Sequence, residues 1–146
     1  MSQVKITQYP LDNVPSEVHR RLCKLDLNWQ HIHKAHTVEK GFMMALEAKG
    51  SVIAYTLVKH NDQSSALIHQ LFVHPTCRNK AFGRKLLLKA MKAAAKFGYD
   101  ELYLECIKEA TTFFSHQGFV VVREPLERSG EPLYQMEMPC LRHYLI

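Results

Sequence analysis

Hydrophobic positions along the chain fall in short runs whose spacing changes from one stretch to the next. Residues 4–9 alternate and stop at Pro10, which predicts a first strand. From Pro15 onward Val18, Leu22 and Leu25 share one helical face, and a second helical piece covers residues 28–36. Residues 42–48 and 52–59 read as two strands joined by the turn dipeptide Lys49-Gly50, an antiparallel hairpin. Residues 65–73 form the next strand. The longest helical pattern, residues 83–97, carries Leu86, Leu87, Ala90 and Ala94 on one stripe and ends at Gly98, a C-terminal cap. Residues 102–106 are a short strand, and residues 108–117 a helix stopped by Gly118. Residues 119–123 and 133–138 close the chain as strands, bridged by a loop rich in turn formers.

Strand, helix and strand between residues 65 and 106 make a parallel crossover, whereas the earlier hairpin is antiparallel. The fold class is therefore α/β, a mixed twisted sheet of about six to seven strands with flanking helices. A length of 146 residues, 47% of them hydrophobic, suits one domain over residues 1–146. No run approaches the ~20 apolar residues needed to span a bilayer, and the start lacks a signal-peptide core, so a cytoplasmic protein without a membrane partner is expected. Cys23, Cys77, Cys106 and Cys140 are far apart and form no paired motif, which leaves reduced, mostly buried thiols as the expectation. His31, His33 and His36 match no standard zinc spacing, so no metal is expected.

The formal net charge is +5, and the cations concentrate at Arg78, Lys80, Arg84, Lys85, Lys89, Lys92 and Lys96. A solvated helix face accounts for Lys89, Lys92 and Lys96, because they recur at helical spacing opposite the apolar stripe. Few aromatics alternate with the basic stripe and no nucleic-acid-binding motif is present, so no nucleic acid partner is expected. The cations nearest the turn have a different context. There the strand of residues 65–73 runs through a basic turn closed by Gly83 directly into the long helix. Inward amides and the positive end of the helix dipole make such a turn a cradle for an anionic phosphate. It lies at the carboxyl end of a parallel strand, where diverging strands open a crevice.

The cradle, Val73-His-Pro75-Thr-Cys-Arg78-Asn-Lys-Ala81-Phe-Gly83, resembles the pyrophosphate-binding signature of the GNAT family of N-acetyltransferases. It departs from that pattern at Ala81 and Asn79, where glycines are usual. A second block, Ala110-x-x-Phe113-Phe114-x-x-x-Gly118-Phe119, is similar to the family's later helix, with Phe114 at the usual tyrosine. The ending Ser129-Gly130-Glu131-Pro132-Leu133-Tyr134-Gln135-Met136 resembles a closing strand of some small members, with Leu133 in place of histidine. The likeness runs from about residue 42 onward; the first forty residues, which in this family usually shape the acceptor site, carry no matching motif.

The resemblance implies a GNAT fold and an acetyl-CoA-dependent N-acetyltransferase acting on a primary amine of a small molecule or peptide by direct attack in a ternary complex. Leu71, Phe72 and Val73 would align the pantetheine arm through their backbone and polarise the thioester. Arg78, Asn79, Lys80, Ala81, Phe82, Gly83 and Arg84 would hold the pyrophosphate, and Phe114 would pack against the pantetheine. A phenyl ring cannot donate the proton that the family's tyrosine supplies, so other groups are candidates. His69, two residues from Leu71 and so on its face, is the candidate base, with a hydrogen-bonded structural histidine as the alternative. Tyr134 is the candidate acid, with a half-exposed strand tyrosine as the alternative. Cys106 could sit near the thioester, and a buried inert thiol is its other reading. Trp29 could line the acceptor pocket or pack a helix. The apolar tail from Leu141 leaves two placements open, on its own sheet or on a second copy in a homodimer. A CoA-binding regulator without turnover is the alternative function.

Overall fold

The computed structural model describes residues 4–36, 40–78, 80–125 and 132–145, with the backbone alone at 33–36, 144 and 145. Seven strands form one sheet: β1 (Val4–Pro10), β2 (Gly41–Ala48), β3 (Ser51–His60), β4 (Ser65–Val73), β5 (Glu101–Cys106), β6 (Val120–Arg123) and β7 (Tyr134–Met138). Their spatial order is β1-β2-β3-β4-β5-β7-β6, with β4 and β5 parallel and every other pair antiparallel. The mixed α/β sheet expected from the sequence is present. Its first hairpin closes with Ala48 opposite Ser51, and Lys49 (φ 52°) and Gly50 (φ 79°) both lie in the left-handed region that a two-residue hairpin turn requires.

Four helices cover the sheet: α1 (Ser16–Leu25), α2 (Trp29–His36), α3 (Phe82–Lys96) and α4 (Thr111–His116). On one face α3 buries Leu86, Leu87, Ala90, Met91 and Ala94 against Met44, Leu46 and Ile68, and Phe114 of α4 and Phe119 join the same core. Each of the large side chains among them contributes roughly 1.5–3 kcal/mol through its removal from water, and each alanine less. On the opposite face Val18, Leu22 and Trp29 pack on Met43, Tyr55 and Leu57. Gly98 (φ 98°) ends α3, its N–H bonding to Ala95 O at 3.0 Å while Tyr99 N–H reaches Ala94 O at 3.3 Å.

The expected helix over residues 108–117 divides into a 3₁₀ turn, Lys108–Ala110, and the shorter α4. Of the two placements of Trp29, helix packing holds: the indole is fully buried and donates to His19 Nδ1 at 3.1 Å. The tail turn, Leu141–Leu145, packs on α3, with Leu141 buried and its N–H bonded to Asp100 O at 2.9 Å. It therefore covers its own sheet assembly. Among the described residues no helix is long and apolar enough to cross a membrane.

Candidate active site

β4 and β5 run together only from Ser65 opposite Glu101 to Ile68 opposite Leu104. Beyond that point Glu105 and Cys106 pair with Gln135 and Tyr134 of β7, while β4 continues on β3 alone. Among the described residues, Leu71, Phe72 and Val73 pair with β3 and have no strand opposite them on the β5 side. The separation leaves an open groove of about 460 Å³ lined in part by His69, Gln70, Leu71, Glu105, Cys106 and Phe114. Diverging parallel strands open such a crevice at their carboxyl ends.

A bulge accompanies the split. Gln70 stands opposite Leu57 and Ile68 opposite Val58, so His69 is the extra residue. Thr56, buried, donates its hydroxyl to the Gln70 carbonyl at 2.6 Å. The bulge corrects one expectation. Ile68 faces the α3 core, and so do Leu71 and Val73, which strict alternation forbids. His69 therefore does not share the face of Leu71 and Val73 by two-residue spacing; it is an exposed residue on the groove. Phe72 turns to the other face, its ring 6.0 Å from that of Tyr55.

The turn after β4 is held by its own side chains. His74 Nδ1 accepts the Thr76 N–H at 3.1 Å, and a 3₁₀ turn, Pro75–Cys77, follows. Arg78 folds back, its Nε donating to Val73 O at 3.0 Å and its guanidinium 5.7 Å from the Phe72 ring centroid. It braces the turn instead of projecting its charge forward. Asn79 lies outside the described residues. Lys80 and Arg84 are exposed beside the turn and supply its positive field.

Ala81 sits at the N-cap of α3 with φ 65° and ψ 11°. This is why glycine is usual there: the left-handed conformation costs an L-residue roughly 1–2 kcal/mol. It is also why the helix begins at Phe82, one residue before Gly83. The first helical bond runs from Lys85 N–H to Ala81 O at 3.0 Å, which leaves the amides of Phe82, Gly83 and Arg84 outside the ladder. A Cβ built on Gly83 would stand 3.5 Å from Val73 Cγ2 and 3.7 Å from Phe113 Cζ, filling the space between β4 and α4 at the helix start. Free amides, a helix dipole and unfilled space beside an open strand edge fit an extended anionic thioester such as acetyl-CoA.

The candidate proton carriers lie around the groove unequally. Phe114 is buried, edge-on to Phe113 and Phe119 at 5.1 and 5.7 Å, and forms groove wall as well as core. Cys106 points its thiol at Met136 Sδ at 3.6 Å, and burial pushes the thiol pKa up, so the inert reading describes it. Tyr134 is the cross-strand partner of Cys106, half-buried against the α3-side core. Two features escape sequence reasoning. Glu105 brings a carboxylate to the groove because Leu102, Leu104 and Cys106 take the core-facing positions of β5. Gln70, re-aimed by the bulge, shares the face of Tyr55, whose hydroxyl donates to the buried Asp26 Oδ2 at 2.7 Å. Among the described residues no group of three His, Cys, Asp or Glu side chains could hold a metal ion; the side chains of His33 and His36 lie outside that description.

A sheet split between two parallel strands, with an uncapped helix start at the split, makes an α/β fold with a crevice suited to an anionic ligand. The family model described as the acetyltransferase (GNAT) family matches residues 6–119, and the chain belongs to that family. It is an acyltransferase, with acetyl transfer as its general activity. No curated protein matches the chain. Among solved structures it is similar to an acyl-CoA N-acyltransferase from Pseudomonas aeruginosa, with TM-score 0.79 and 17% identity over 92% of this chain and 99% of that one. ElaA from Escherichia coli gives TM-score 0.76 and 18% identity over 92% and 99%. A GNAT family acetyltransferase from Elizabethkingia anophelis with acetyl-CoA bound gives 0.70 and 16% over 92% and 97%. These likenesses establish the fold.

Proposed function

We propose that residues 1–146 form one N-acetyltransferase domain that moves the acetyl group of acetyl-CoA to a primary amine of a small molecule or peptide by direct attack in a ternary complex. The observation that carries this reading is the split of β4 from β5 after Ile68 and Leu104, directly beside the free amides that begin α3. Acetyl-CoA supplies an activated acyl thioester. The backbone of Leu71, Phe72 and Val73 orients its arm along the open edge, and their amides supply hydrogen bonds to the thioester oxygen. The amides of Phe82, Gly83 and Arg84 bind the pyrophosphate, with Lys80 and Arg84 adding charge and Arg78 bracing the turn.

The reaction forms a C–N bond, breaks a C–S bond, and needs one proton taken from the amine and one delivered to the departing thiolate of CoA. His69, exposed on the groove, is the proposed base, acting directly or through water. Glu105 on the same groove favours a cationic amine over a neutral hydroxyl acceptor. Tyr134, the cross-strand partner of the groove residue Cys106 and not itself part of the groove lining, is the proposed acid. A buried phenyl ring at position 114 and a buried Cys106 thiol that donates to Met136 Sδ favour the second reading, a CoA-binding domain without turnover.

Calorimetric titration with acetyl-CoA, followed by thiol release across an amine panel, decides between them. Saturable binding and amine-dependent release of free CoA are expected, with His69→Ala lowering turnover by about 10²–10⁴-fold, the usual worth of a general base. Binding without release on any amine would favour the second reading, and no binding to folded protein at millimolar acetyl-CoA would remove both.

A further inference from the structure

About 22 Å from its first turn, at 1.5 Å per residue, α3 ends against a surface that the acetyl-transfer reading does not use. Phe97 caps the helix, is 63% exposed, and stacks on Phe42 with centroids 5.4 Å and planes 19° apart. On one side of this stack, Phe42, Val58, Phe97 and Tyr99 enclose a pocket of about 170 Å³ with Lys40 and His60 at its rim. On the other side an open groove of about 470 Å³ runs between α3 and the edge strand β1. Ile6 and Met44 form its floor, and Lys89, Lys92 and Lys96 its wall. Phe97 lines both depressions, so they adjoin across its ring.

Charge and shape together select an occupant. Lys89, Lys92 and Lys96 recur at spacings of three and four, which sets them side by side on one helix face, where like charges repel by a few tenths of a kcal/mol. None of the three makes a salt bridge among the described residues, and no described carboxylate lines either depression. The surface is thus a cationic rim around an apolar centre, the anatomy of a protein interface whose partner supplies acidic groups and one buried anchor. The pocket is smaller than the roughly 300–1,000 Å³ usual for small-molecule sites, which favours a single side chain as its guest.

We propose that this face docks an acidic segment of a partner protein, with carboxylates along Lys89, Lys92 and Lys96 and one bulky apolar side chain in the Phe42–Phe97–Tyr99 pocket. The test is fluorescence anisotropy of the full chain with a labelled synthetic peptide rich in Asp and Glu and carrying one central Trp. Saturable binding is expected. It should weaken about tenfold in the Lys89→Glu/Lys92→Glu variant and about tenfold when the peptide's Trp becomes Ser, each loss matching one lost interface element. Acetyl-CoA binding should stay unchanged, and far-UV circular dichroism should confirm folding. Phe97→Ser provides a second variant that should lower affinity comparably.

No saturation, equal binding of the Trp and Ser peptides, or indifference to the lysine reversals would overturn the proposal. So would phosphatidylserine vesicles or duplex DNA outcompeting the peptide through the same lysines, which would assign the face to a lipid surface or nucleic acid. A concentration-dependent dimer abolished by Phe97→Ser in sedimentation would assign it to a second copy.

Discussion

Ala81 shows how one side chain can be chemically mild and conformationally costly. Its φ of 65° is imposed by the turn that delivers the chain from β4 into α3, and the methyl group makes no compensating core contact because the residue is exposed. Ala81→Gly should therefore stabilise the fold by about 1 kcal/mol, raising the melting temperature by about 2–4 °C for a chain of this size. A differential scanning calorimetry trace with unchanged or lower melting temperature would show that the strain is relieved elsewhere. His69 carries a different lesson at the same scale. Its place on the groove is decided by one inserted residue in β4, and every side chain after it changes face.

At the scale of elements, the start of α3 is where the fold meets the proposed ligand site. Gly83 meets Val73 and Phe113 at distances ordinary for a Cβ, so Gly83→Ala should fold with a melting temperature equal to or slightly above the parent, helped by alanine's better helix propensity. The added methyl occupies the space beside the free amides. Acetyl-CoA affinity should fall about tenfold or more, roughly 1.4 kcal/mol or above, read by isothermal titration alongside the melting temperature. Unchanged affinity would place the pyrophosphate away from this helix start. The split between β4 and β5 is the companion device, because their ladder stops at Ile68 and Leu104 while β5 stays paired with β7 on its other edge. Neither the open edge nor these amides need a special side chain, and the helix start keeps its geometry with Ala81 at a position where glycine is usual.

Across the whole molecule, the two helical layers are fastened to the sheet differently, one by apolar packing alone and the other with a buried polar bond. Asp26, at the end of α1, accepts the Tyr55 hydroxyl at 2.7 Å and also the Asn28 N–H at 3.0 Å, so the α1–α2 layer is tied to β3 through a carboxylate. Burial first, and the bond to Asp26 second, hold the Tyr55 pKa far above its ordinary value. With a folded-state pKa above the unfolded one, this contribution is fully present below about pH 10 and declines as pH rises further. Tyr55→Phe should cost about 1–3 kcal/mol at neutral pH and flatten part of that alkaline decline, measured by urea unfolding from pH 8 to 11. A parallel decline in both proteins would mean that Tyr55 is not the responsible group. The sequence by itself determined the order and type of the elements, since hydrophobic period, Lys49-Gly50 and Gly98 act through local backbone geometry. It also located the strand end, turn and helix start from Val73 to Gly83, because the three are consecutive in the chain. Tertiary structure alone decided where β4 leaves β5, which way His69 and Gln70 point, that Arg78 turns back on its own strand, and that Glu105 reaches the groove. The strand outcomes depend on register between paired strands and the Arg78 contact on a side-chain rotamer, and a single inserted residue in a ladder leaves no periodic trace in the chain that carries it.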